Sequence, residues 1–212
     1  MKLYDLSHPF CVTDMVFPGT PEMDYKQTHT FEEGAFCLGL VSVNTHAGTH
    51  TDAPRHFLKE GVTLEAMPLA HYVGPCVVID ARHRGANEDI TPEDIQNHEA
   101  AIREKKRVLF LTGWSARVNT AEYFTDYPRI SLELAERLVQ LGAVLVGVEP
   151  PSLNPPLYIE IHQAFAKHNV AVIEGLRGLE AILDKDVIFC GAPLAFVGAD
   201  GFPLRAYAIE PE

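Results

Sequence analysis

Residues 46–56, His46-Ala47-Gly48-Thr49-His50-Thr51-Asp52-Ala53-Pro54-Arg55-His56, gather three histidines and a carboxylate in a stretch that cannot be a regular helix. A spacing of four would place His46 and His50 on one helical face, but Gly48 weakens a helix and Pro54 interrupts one. A loop or a single tight turn is therefore expected to bring these polar groups together. The preceding run Phe36–Val43 is rich in apolar and β-branched residues with partial alternation, and predicts a strand that delivers the cluster at its end.

Residue type then narrows the chemistry. Imidazole and carboxylate together suit Zn²⁺, Mn²⁺ or Fe²⁺, whereas Ca²⁺ and Mg²⁺ prefer mostly oxygen donors. Gly48 lets the backbone approach an ion, and Asp52 is near enough to His46 and His50 to close a three-donor face. Three protein donors leave coordination positions for water or substrate, the mark of a catalytic site. His56 has three readings at this level: a fourth ligand, a group that supports a ligand, or a free acid/base. For His8, His29, His71, His83, His98 and His168 the sequence names no partner, and ordinary hydrogen-bonded structural roles are expected.

Composition excludes other classes. A formal net charge of -12 argues against a nucleic-acid partner, and no Lys/Arg stripe offsets it. The one concentrated basic stretch, Arg103-Glu104-Lys105-Lys106-Arg107, reads as a solvated helix C-terminus, where cations complement the helix dipole. No apolar run is long enough to span a bilayer, and Met1–Pro9 lacks the basic start and apolar core of a signal peptide; the expectation is a soluble cytoplasmic protein. Residues 1–212 contain no linker-like segment and predict one domain. Cys11, Cys37, Cys76 and Cys190 are widely spaced without a Cys-x-x-Cys pair, and read as buried thiols.

The elements alternate through the middle of the chain. Thr91-Pro92-Glu93-Asp94 combines a capping residue, proline at the first helical position and acids in the first turn, so a helix should run to about Lys105. Val108–Leu111 reads as a buried strand, Ser131 caps a helix through Leu141, and Gly142 ends it before a strand over 143–146. The first third is strand-rich and includes Cys76–Asp80, and Asp200-Gly201 predicts a hairpin turn between two apolar runs. The fold class is mixed α/β without a phosphate-binding glycine loop.

The string His-Ala-Gly-Thr-His-Thr-Asp-Ala-Pro-Arg-His-Phe over 46–57 resembles the signature of the cyclase-like metal-dependent hydrolases, whose best-known members are the bacterial kynurenine formamidases. The resemblance extends to Phe17-Pro18-Gly19-Thr20-Pro21, Leu111-Thr112-Gly113-Trp114, Gly147–Ser152 and Gly198–Ala206. It implies a swivelling β/β/α fold, a first metal set of His46, His50 and Asp52, and a catalytic role for His56. It also implies a second set, His162 in Ile161-His162-Gln163 and Glu174 twelve residues on, with Asp52 bridging two ions. His162 falls in a predicted helix over 158–168 and Glu174 ends the apolar run 170–173, so a helix and the following strand can face one cleft.

The implied reaction is hydrolysis of a small-molecule amide, an N-formyl arylamine such as N-formylkynurenine, with two Zn²⁺ ions. The alternatives are a cyclic-amide or imide hydrolase using Mn²⁺, and a non-catalytic metal-binding protein. Phe17, Phe57 and Trp114 are candidates for an aromatic-substrate pocket. Glu149 stands where the family has an aspartate, which bears on pocket shape. The resemblance further implies a homodimer or homotetramer.

Overall fold

Apolar runs without alternation become the buried centre of a sheet. In the computed structural model, which describes residues 1–12 and 17–212, Arg107–Leu111, Leu145–Val148 and Ala171–Glu174 are buried along their whole length and pair in parallel. Strands buried on both faces read as continuous apolar runs because helices or a second sheet cover each side.

In chain order the strands are β1 (Lys2–Asp5), β2 (Asp24–His29), β3 (Leu38–Ser42), β4 (His50–Asp52), β5 (Val73–Pro75), β6 (Val77–Asp80), β7 (Asp89–Ile90), β8 (Arg107–Leu111), β9 (Arg129–Ile130), β10 (Leu145–Val148), β11 (Ala171–Glu174), β12 (Ile188–Cys190), β13 (Gly201–Pro203) and β14 (Tyr207–Glu210). The helices are α1 (Leu69–Tyr72), α2 (Pro92–Ile95), α3 (Glu99–Lys105), α4 (Leu132–Gln140) and α5 (Tyr158–Ala166). The larger sheet has the order β13-β4-β11-β10-β8-β6, and a second, antiparallel sheet has the order β1-β14-β12-β5.

Alternation along the central strands builds three layers. Leu109, Leu111, Leu145 and Ile173 point toward the second sheet and pack with Phe189 and Ala208. Val108, Phe110, Val146 and Val172 point the other way, onto Ile102, Leu134, Leu138, Ile161 and Phe165 of the helices. The result is sheet on sheet on helix, the β/β/α arrangement expected. Among the described residues no helix is long and apolar enough to cross a membrane.

Local signals set several boundaries. Thr91 and Asp94 form a reciprocal capping box with Pro92 in the first turn. Ser131 Oγ accepts the Leu134 N–H at 3.1 Å to start α4, and Gly142 takes φ 83° just beyond its end.

Other expectations are corrected. The single helix to Lys105 is two, because the weak helix formers Asn97 and His98 lie in a turn between α2 and α3. Arg107 is not solvated: its buried guanidinium donates to the carbonyls of His71 and Lys105 at 2.9 and 3.2 Å, and to that of Ala70. Cys76 and Cys190 are buried, but Cys11 and Cys37 lie at the surface.

Among the described residues the strand before the cluster, β3, pairs only with β2, in an exposed ribbon that ends at Ser42, so it does not carry the cluster. Nor is the cluster wholly a loop, since His50–Asp52 is itself a strand of the larger sheet. Asp200-Gly201 does not turn a hairpin; β13 crosses to pair with β4.

Candidate metal centre

Three neighbouring pieces of chain build the centre on β4. In a strand, alternate side chains share a face, so His50 and Asp52 project together while Thr51 turns away and donates its hydroxyl to the Val172 carbonyl at 2.7 Å. Register with β11 sets Glu174 opposite His50. From α5, buried His162 reaches the same point, its Nε2 3.2 Å from Glu174 Oε1 and 3.5 Å from Asp52 Oδ2.

The backbone fixes the tautomers of two rings. His50 Nδ1 donates to the Gly48 carbonyl at 3.0 Å, and His162 Nδ1 donates to the Tyr158 carbonyl at 2.5 Å. Each therefore turns its Nε2 inward toward the carboxylates of Asp52 and Glu174, the orientation in which an imidazole is prepared as a metal ligand. His50 Nε2 lies 3.5 Å from Asp52 Oδ1 and 3.4 Å from Glu174 Oε2. His46 completes the group with Nδ1 2.8 Å from Asp52 Oδ1. Asp52 is thus central, one oxygen facing His46 and His50 and the other facing His162.

The electrostatics call for positive charge. Burial opposes ionisation of Asp52, yet His46 and His50 hold its carboxyl well below the usual range. Burial also opposes a charge on His46, but Asp52 and Asp200 outweigh it and pull that imidazole up to about 10. His162 is raised likewise by Glu174 and Asp52 against the effect of burial. His46 Nε2 is buried with no well-aligned hydrogen bond, although Asp200 Oδ2 is 3.2 Å away. A divalent cation fits this donor set: donors about 2.0–2.1 Å from a tetrahedral ion are separated by roughly 3.3 Å, and the His50, His162, Asp52 and Glu174 contacts span 3.2–3.5 Å.

Proline starts the 3₁₀ turn Pro54–His56 that follows β4 and places His56 at the rim. Its ring stacks on His46, with centroids 3.7 Å apart, and its Nδ1 is 3.3 Å from Asp200 Oδ2. Phe57 stacks on His162 at 4.2 Å and meets His56 edge-on at 4.3 Å. Above the cluster opens a cavity of about 450 Å³, walled by Phe17, Phe57, Tyr127, Tyr158, Pro151 and Pro155.

The structure brings together His46, His50, Asp52, His56, His162 and Glu174, with Phe17 and Phe57 in the wall. Trp114 does not join them. Its indole N–H donates to the Tyr123 carbonyl at 3.0 Å and it packs with Tyr123 and Tyr127, of which only Tyr127 lines the cavity. Glu149 is also absent from the wall. Its fully buried carboxylate accepts from Thr112 N and Oγ1, Gly113 N and Ser115 Oγ at 2.5–2.9 Å, tying the ends of β8 and β10 together. Sequence reasoning missed Tyr127, Tyr158 and Asp200; Asp200-Gly201 carried a turn signal and nothing local pointed it at His46.

Known proteins share this architecture. The chain matches the model of the family described as "Putative cyclase" over residues 4–155. It is 31% identical to a kynurenine formamidase of Erythrobacter litoralis over 99% of this chain and 94% of that protein. It is 31% identical to a kynurenine formamidase of Bacillus cereus over 95% of this chain and 94% of that one. A solved structure of a potential metal-dependent hydrolase with cyclase activity is similar at TM-score 0.83 and 29% identity, covering 100% of this chain and 98% of the other. Isatin hydrolase A from Ralstonia solanacearum shares the fold at TM-score 0.85 and 24% identity, over 99% and 92% of the two chains.

Proposed function

The chain belongs to the cyclase family, and on that premise we propose that it is a metal-dependent hydrolase that cleaves the carbon–nitrogen bond of an N-formyl arylamine such as N-formylkynurenine. The observation that carries this reading is the pair of imidazole Nε2 atoms, on His50 and His162, turned by backbone-anchored rings toward buried carboxylates on the floor of an aromatic-walled cavity. A protein that merely stored an ion would have no use for that cavity.

His46, His50, Asp52, His162 and Glu174 would hold the metal, proposed as two Zn²⁺ ions with Asp52 between them, and Mn²⁺ as the alternative. When bound, such an ion polarises a carbonyl oxygen and acidifies water. Asp52 and Glu174 offset the cationic charge of the site. Phe57 and Tyr158, 5.9 Å apart and edge to face, offer an aromatic ring a slot beside the cluster. His56, half-exposed at the rim, accepts the proton as water oxygen bonds to the formyl carbon, and returns it to the nitrogen as the C–N bond breaks. The products are formate and the free arylamine.

A second reading, hydrolysis of a neutral cyclic amide or imide, is supported by the wall itself. Among the described residues the lining includes no lysine or arginine to pair with an amino-acid carboxylate. The ribbon β2–β3, which exposes Tyr25, Leu38, Leu40 and Val41, supports the assembly of copies into a homodimer or homotetramer, to be checked by sedimentation.

The test is hydrolysis of N-formylkynurenine by purified protein, with bound metal quantified in the same sample, then after chelation and metal restoration. Chelator-sensitive, restorable turnover is expected. Metal without turnover transfers the assignment to cyclic amides and imides, with isatin as the probe; absence of metal under every loading condition overturns both.

A further inference from the structure

Asp200 is drawn to the metal centre from the opposite end of the chain. Gly201 pairs with Asp52 across the β13–β4 ladder, and the Asp200 carbonyl accepts the Ala53 N–H at 2.8 Å, so the backbone at 200 is clamped beside β4. The clamp requires glycine next door: a Cβ at 201 would lie 2.6 Å from His46 Cε1 and 2.6 Å from the Thr51 carbonyl oxygen. From this position a single oxygen, Oδ2, stands 3.2 Å from His46 Nε2 and 3.3 Å from His56 Nδ1.

His56 depends on that oxygen. Its ring comes from a short 3₁₀ turn and keeps 30% side-chain exposure, and among the described residues its one hydrogen-bond partner is Asp200. The aromatic contacts with His46 and Phe57 restrict the plane of the ring but do not choose which nitrogen carries the proton. An imidazole acts as a base only through the nitrogen that is bare. Unpartnered in water, a neutral histidine ring prefers its proton on Nε2. An acceptor at Nδ1 reverses that preference, which is how a third group orients the base in nucleophile–base–orienter arrangements. Asp200 Oδ2 is such an acceptor, a carboxylate oxygen within hydrogen-bond distance of His56 Nδ1.

We propose that Asp200 is the positioning residue for His56: its Oδ2 accepts the His56 Nδ1–H, fixes the ring, and leaves Nε2 bare as the atom that exchanges a proton in the cavity. The role in turnover rests on the amide-hydrolase reading above; the hydrogen bond and the tautomer do not.

Asp200→Ala and the isosteric Asp200→Asn test it, with folding checked by circular dichroism and metal content measured in each. The tautomer is read in the metal-free protein from ¹⁵N shifts of the His56 ring, at a pH where the ring is neutral. In the wild type the proton is expected on Nδ1; in both variants it moves predominantly to Nε2, since the Asn amide can itself donate to Nδ1. With metal restored, kcat falls about 10- to 100-fold, the scale for groups that orient others around a metal site, while KM and metal content stay within about twofold of wild type. In a His56→Asn background the same Asp200 substitutions change kcat little, as a role exercised through His56 demands.

An unchanged tautomer overturns the proposal, as does a full Asp200 effect persisting without His56. Loss of metal in Asp200→Asn would make Asp200 a ligand and overturn it equally. If the wild type hydrolyses neither formylkynurenine nor isatin, the functional reading fails and the ¹⁵N result still decides the role of Asp200.

Discussion

His50 and His162 each tie Nδ1 to a backbone carbonyl, whereas His46 and His56 meet at one side-chain oxygen, Asp200 Oδ2. The inner pair is almost sealed, at 5% and 3% side-chain exposure, while the outer pair stands at 17% and 30%. Anchoring to backbone carbonyls, of Gly48 just before β4 and of Tyr158 in α5, leaves Nδ1 of the inner rings nothing to exchange, which suits the retention of an ion. The outer rings lean on a carboxylate that is itself partly exposed; His46, which also meets Asp52, keeps its place among the proposed ligands, and the more exposed His56 suits the movement of protons to and from the cavity. One motif supplies residues to both halves, with His46, His50 and His56 within eleven positions. Neighbours in sequence are thereby given different work by their surroundings.

The contrast is tested most severely at the inner half. His50→Ala removes a donor whose partners are all buried, and both bound metal and turnover should fall to the level of chelated protein. Metal analysis that found a wild-type complement would break the division. His56→Asn comes next. Metal should stay and kcat should drop about 10²- to 10⁴-fold, the range for removing a general acid–base group; a near-normal rate would remove His56 from that role. Phe57 spans the two halves by touching His162 and His56. Its aromatic contacts are worth about 0.5–1.5 kcal/mol, so Phe57→Leu should raise KM about 2- to 12-fold for an aromatic substrate and leave metal content unchanged. A smaller change for an aromatic than for an aliphatic formamide would exclude Phe57 from ring recognition.

The smallest effect belongs to Glu149, which lies behind both halves. Burial raises its pKa above the ordinary 4.5 despite the hydrogen bonds it accepts. An acid whose folded pKa is raised binds its proton more tightly folded than unfolded. Its contribution to stability is therefore full below about 4.5 and declines as pH climbs toward the folded value. Glu149→Gln can keep the three contacts to Oε2, with Ser115 accepting from the amide, and carries no charge. Urea midpoints should show the variant gaining on wild type as pH rises from 4.5 and then holding its advantage. A difference independent of pH would show that this carboxylate does not titrate between folded and unfolded states.

The same contrast explains what was legible in the chain. His46, His50 and Asp52 could be grouped because the motif keeps them within seven residues. His162 and Glu174 came from family resemblance, and the predicted helix and strand that carry them were sound. Helix starts at Thr91 and Ser131 were readable because a cap is a local hydrogen bond. Strand partnership was not: β3 is as apolar as a core strand yet lies exposed, and Gly201 pairs with a strand about 150 residues earlier. Trp114 and Glu149 look like pocket residues in sequence, but the chain directs them into the cluster behind Tyr127 and into the junction of β8 and β10.

By itself the sequence grouped His46, His50 and Asp52 and determined the mixed α/β class and the capped helices, because each rests on residue type and on spacings of a few positions. Tertiary structure alone decided that β13 would lie against β4, and hence that Asp200 would reach His46 and His56. A contact between positions so far apart is chosen by which strand edge is left unpaired and by how closely a glycine lets two backbones approach, and neither is encoded near the residues that meet.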